Sequence, residues 1–147
     1  MDTQKIKQLL TLIANKSKSQ TDYGNTKKYI MEIIDYHDSI VSIDVNDVRD
    51  LFQEGGVIHA FIASVDASME NRMMLMMAKI MKHAECFEPY NHALAFFFFP
   101  EKQPMLMEEL QPFSDWIESV PGDLLIKWGM AAQSTPELRA IVLLQSA

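Results

Sequence analysis

The stretch SIDVNDVRD, residues 42–50, sets three aspartates three apart: Asp44, Asp47 and Asp50. Clustered carboxylates are the raw material of a cation site or of an acid–base pair acting on water. The same spacing also fits an ordinary helix start. Asp44 suits the N-cap of a helix over 45–54, and Asp47 then falls at the third helical position, where a carboxylate meets the positive end of the helix dipole. Capping accounts for both residues without any chemistry, so the residues alone leave the two readings open.

The other residues with chemical capability are His83, Cys86 and His92. They offer three ligands where structural zinc takes four, and no C-x-x-C pair accompanies them. No metal is expected. His83 suits the C-terminal end of a helix through the dipole alone, and Cys86 has no evident base or oxyanion partner to make it a nucleophile. The five glycines, at 24, 55, 56, 122 and 129, form no phosphate-cradling loop. The chain is therefore expected to hold no nucleotide cofactor of its own and not to be an enzyme in cis.

These residues need elements to hold them. Residues 4–14 place Ile6, Leu9, Leu10 and Ile13 at helical spacing, and a polar, turn-rich stretch with Gly24 follows. Tyr29, Ile30, Ile33 and Ile34 make a second helix over 26–36. The short β-branched IVSIDV then runs into a third, short helix carrying Val48, Leu51 and Phe52. Beyond it, VIHAFIAS (57–64) reads as a strand and 67–84 as a helix, N-capped by Asp66 or Ser68. The inward stripe of that helix is Met69, Met73, Met76, Met77, Ile80 and Ala84. HALAFFFF (92–99) has no alternation left and is a strand buried on both faces. A helix over 105–119 turns Leu106, Leu110, Phe113 and Ile117 inward, with Pro112 near its first turns. DLLIKWGMA (123–131) and ELRAIVLLQ (137–145) close the chain as a hairpin through QSTP.

The fold class is thus α/β, with two N-terminal helices ahead of a β-α-β-α-β-β order and a mixed four-stranded sheet packed by helices. Residues 1–24 form a helix and polar loop and 25–147 the main domain, within one compact unit. Met74, Leu75 and Met81 lie off the inward stripe of the methionine-rich helix and are candidate interface residues.

Charge narrows the partners. The 147 residues carry a net −7, but residues 1–28 hold six lysines against Asp2 and Asp22. The remainder holds seven bases against eighteen acids. An acidic body repels nucleic acid. No run is long and apolar enough to span a membrane, and MDTQKIKQLL is no secretory signal. One cysteine and no signal give a cytoplasmic location as the default.

From residue 25 to 145 the order of elements resembles the C-terminal half of the FtsZ/tubulin family of GTP-driven filament proteins. That family's central helix leads into a loop of pattern N-x-D-F-x-D-V-R. Here SIDVNDVRD matches at Asp44, Asp47, Val48 and Arg49, with Ser42 in place of the Asn and Val45 in place of the Phe. The family's E-[DN]-R-A segment is similar to MENRM, residues 69–73, with Met73 in place of the Ala, and Glu137, Leu138 and Arg139 match the E-L-R before its last strand. The family's glycine-rich GTPase half has no counterpart, about 24 residues standing in its place. In the family the loop aspartates act in trans on the next subunit's GTP. The resemblance thus implies Asp44 and Asp47 as trans carboxylates, with Asp47 the water-activating one, and a role connected with cell division.

Two functions follow. One is a non-catalytic interaction module that associates with or modulates an FtsZ-like GTPase filament, or self-associates. The other is a small enzyme or ligand-binding domain reusing the fold.

Overall fold

Four consecutive phenylalanines, Phe96 to Phe99, are all fully buried in the computed structural model, which sets the architecture. Side chains alternate along a strand. A strand can bury all four only if both faces of its sheet are covered. Phe97 and Phe99 enter one apolar cluster, and Phe96 and Phe98 enter another. The structure describes residues 4, 7–8, 27–33, 39–41, 43, 45–51, 57–120, 122 and 124–146.

Residues 27–33 are helical. Strand β1 (Ser39–Val41) and helix α1 (Val45–Leu51) follow. Next come β2 (Val57–Asp66), α2 (Arg72–Glu85) and β3 (Tyr90–Pro100). A 3-10 turn over Met107–Leu110 leads into α3 (Gln111–Ser119), and β4 (Leu125–Gln133) and β5 (Glu137–Ser146) close the chain.

The sheet is mixed and its order is β1-β4-β3-β5-β2. The four strands expected from the sequence are joined at one edge by the three-residue β1, antiparallel to β4. β3 and β4 pair in parallel, with α3 in the crossover, as a strand–helix–strand order requires. The closing hairpin is overturned: β4 and β5 are not partners, because β3 lies between them. β5 runs antiparallel to both β3 and β2. Neighbouring strands sit about 4.8 Å apart, so stepping over one takes roughly 10 Å. The three residues between β4 and β5 are long enough for that as well as for a hairpin.

Helices α2 and α3 cover the face bearing Phe97 and Phe99, through Met73, Met76, Met77, Ile80, Phe113 and Trp116. Ile30 and Ile33 of the helical segment and Val48 of α1 cover the face bearing Phe96 and Phe98. Two helix starts differ from expectation. α2 begins at Arg72 with Asn71 at its cap, and no side chain closes that cap. Asp66 instead accepts from the Ser68 backbone N–H at 2.9 Å and its hydroxyl at 2.8 Å, a local turn that competes with helix. α3 begins at Gln111, so Pro112 sits in its first turn, where the missing N–H costs nothing. Leu106 and Met69 therefore lie outside the helices and are exposed, while Trp116 takes the inward place. Of the first helix only Gln4, Lys7 and Gln8 are described, and they are helical; the boundary near residue 24, Ile34 and the Gly55–Gly56 entry to β2 lie outside the described residues.

Candidate functional site

α1 positions the loop residues that the sequence singles out. It starts at Val45, and Asp47 lies in its first turn. Val48 is fully buried beside Ile43, which fixes the helix against the sheet and turns its preceding residue outward. Asp47 Oδ1 accepts from Lys127 Nζ at 3.1 Å, across 80 residues of sequence. Lys127 stands on β4 four residues before Ala131, an even spacing that puts it on the face that α1 covers. The pair is 37% and 38% exposed. Arg49, two positions on, is the basic residue of the helix's last turn. Ser42 and Asp44 lie outside the described residues.

Two arginines brace this frame. Arg139, on β5, makes a two-pronged ion pair with Glu32 of the helical segment, one prong at 2.9 Å through Nη2 and the other between Nη1 and Oε1. Its guanidinium also lies 5.3 Å from the centre of the Phe98 ring. The Glu32 carboxylate raises the Arg139 pKa further, against the opposing effect of burial. Arg72 is buried at the start of α2 and uses every N–H it has. Nε and Nη2 donate to Glu109 at 2.7 and 2.9 Å. Nη1 donates to the Gln103 and Ala67 carbonyls at 3.0 and 3.4 Å, and Nη2 to Pro104 at 3.0 Å. Hydrogen bonding from Arg72, reinforced by the Leu106 N–H, holds the Glu109 carboxyl below the usual range.

The histidines and the cysteine do not converge. His83 stacks on Phe61 with ring centres 5.0 Å apart, and Cys86 is exposed. His92 Nδ1 donates to Gln145 Oε1 at 2.7 Å, its cross-strand neighbour in β5, on the opposite face of the sheet from α2. Among the described residues no cluster of His, Cys, Asp and Glu has metal-site geometry, and no helix is long and apolar enough to cross a membrane.

This geometry can be compared with known folds. No family model and no curated protein matches the chain. Solved structures do. An empty FtsZ dimer from M. jannaschii superposes with a TM-score of 0.66 at 18% identity, covering 84% of this chain and 36% of that one. TubZ from Bacillus thuringiensis serovar israelensis, in GDP-form protofilaments, gives 0.64 at 12% identity, covering 86% and 37%. The GDP-bound CetZ1 monomer from Haloferax volcanii gives 0.55 at 15%, covering 88% and 41%.

The chain carries part of an FtsZ/tubulin-like fold.

It spans a little over a third of the length of these FtsZ and TubZ chains. Within that fold, the E-N-R stretch before α2 has a structural meaning. Arg72 is the strut between α2 and the turn at 103–109. A sequence signal for this role exists. Arg72, Met76, Ile80 and Ala84 are spaced four apart, so a charged residue stands on an otherwise apolar stripe. Of the off-stripe residues, Met74, Leu75 and Met81 are exposed. Met74 lies with Met69 and Leu106 around open grooves beside the Arg72 strut. Lys127, the partner of Asp47, carried no sequence signal at all.

Proposed function

We propose that the chain is a non-catalytic protein-interaction module that associates with an FtsZ-like filament in the cytoplasm, as part of cell division. The observation that carries this reading is the match of 84% and 86% of this chain to a little over a third of proteins solved as a dimer and as protofilaments. Residues 25–147 are the associating unit. Asp47, on the surface of α1 and held by Lys127, is presented to a nucleotide that another subunit supplies. Asp44, one turn earlier in sequence, is assigned to the same contact, with Ser42 and Arg49 framing it.

The alternative, a small enzyme or ligand-binding domain, calls for an enclosed pocket with convergent polar groups. The two hollows beside α2 are open grooves, and the buried arginine that lines one of them is fully matched. Exposed Met and Leu side chains around them support a protein partner instead.

The test is co-sedimentation with a complete FtsZ-like GTPase while its GTP turnover is measured. Co-pelleting with altered turnover is expected, and neither at high concentration removes the filament reading. Replacing Asp47→Ala should abolish the change in turnover and leave co-pelleting. A variant that behaves as the parent makes Asp47 structural. Added GTP alone should leave the melting temperature unchanged.

A further inference from the structure

The grooves beside Arg72 form one continuous surface. One hollow of about 520 Å³ lies between α2 and α3 and is lined by Glu70, Met74, Glu108 and Asp115 among others. A second, of about 500 Å³, shares Glu70 and Glu108 with it and adds Met69 and Leu106. The three apolar side chains stand in solvent: Met69 is 48% exposed, Met74 64% and Leu106 52%. Methionine-rich exposed surface adapts to apolar partners. Arg72 is the one base among these lining residues, and Glu109 already neutralises it. Glu70, Glu108 and Asp115 therefore leave the surface apolar and acidic. Its complement is an apolar stripe flanked by bases.

The chain contains such a stripe. Residues 1–18 hold Lys5, Lys7, Lys16 and Lys18 against Asp2 alone, with Ile6, Leu9, Leu10 and Ile13 at helical spacing. Gln4, Lys7 and Gln8 are helical and exposed. From residue 29 onward the acids exceed the bases by eleven, so two bodies repel one another and this segment is the one whose charge opposes the groove.

Resting on the interaction-module reading, we infer that the groove receives the basic amphipathic segment 1–18 of a second copy of this chain. The groove lies on the α2–α3 face of the sheet, while the helical residues 27–33 that follow the segment pack on the other face. Reciprocal exchange gives a closed two-fold dimer, and its ionic component weakens as salt shortens the screening length.

The test is carbodiimide cross-linking of an equal mixture of isotope-labelled and unlabelled full chains. Joined peptides linking Lys5 or Lys7 to Glu70 or Glu108, with one labelled and one unlabelled half, are expected. Joins of like isotope only place the segment in its own groove and overturn the inference, as does the absence of joins. In sedimentation, Glu70→Lys with Glu108→Lys should weaken self-association at least about tenfold. A partner chain bearing Lys5→Glu and Lys7→Glu should restore it, and a folded variant pair that shows no such rescue also overturns it. A chain that co-pellets with the GTPase but gives no mixed joins defeats this inference alone. One that gives mixed joins without touching the GTPase defeats the filament reading alone.

Discussion

Asp47 and Glu109 are both carboxylates paired to a base, and their surroundings make them different. The Asp47–Lys127 pair is more than a third exposed, so its attraction is screened and it orders two mobile side chains for little gain. Asp47→Ala is expected to change stability by no more than about 1 kcal/mol, measured by urea unfolding. That small structural cost makes it a clean probe of the trans role. Glu109 faces a buried guanidinium instead. Removing the charge there, as Arg72→Met, strips Glu109 and three carbonyls of their donor and should cost about 3–5 kcal/mol. The pH dependence follows from the direction of the Glu109 shift. Its folded pKa lies below the ordinary 4.5, so its stabilisation is fully present above 4.5 and is lost as pH falls through the folded value. Urea melts of the parent and of Glu109→Gln should therefore differ by a constant amount above that pH and converge below it. Convergence at a higher pH instead would show that the carboxyl is not held down by Arg72.

α2 shows how a helix sorts one residue type between two environments. Its methionines alternate between the covered stripe, with Met73, Met76 and Met77 buried, and the open side, with Met74 and Met81 exposed. Met76→Ala removes side-chain volume from a closed interior and should cost about 2–5 kcal/mol. Met74→Glu changes a solvated position and should stay within about 0.5 kcal/mol. Equal costs in denaturant melts would contradict the helix orientation. The 3.6-residue period made this sorting legible from sequence. The start of the helix was not, because Asp66 closes its own turn with Ser68, and a capping residue cannot announce which of two local partners it will choose. Leu106 was misassigned for a related reason: Pro112 begins α3 rather than interrupting a longer helix.

For the whole molecule, the decisive feature is that both faces of β3 are closed. Phe97 packs under α3, with its ring centre 5.2 Å from that of Phe113, and Phe98 packs beneath Arg139 on the other side. Phe97→Ala and Phe98→Ala should each cost about 3–5 kcal/mol. A sheet with one solvated face would tolerate one of them nearly unchanged, and paired unfolding curves distinguish the two cases. The resulting body has a central strand buried at every position but Asn91, an acidic net charge, and a methionine-lined groove at the α2–α3 surface.

The sequence by itself determined which segments are strands and which are helices beyond residue 57, and that β3 is covered twice. Those properties are local: hydrophobic period and the lack of alternation are written in neighbouring residues. The loop pattern around Asp47 and its placement in a helical first turn were legible in the same way. Tertiary structure alone decided that three residues after Gln133 carry the chain over β3 rather than back along β4, and that Ser39–Val41 adds a fifth strand. It alone gave Asp47 a lysine 80 residues away and made Arg72 a buried strut. Strand partners and ion pairs are chosen by backbone hydrogen bonds and charges that meet only when distant segments fold together, and a short link fits more than one such choice.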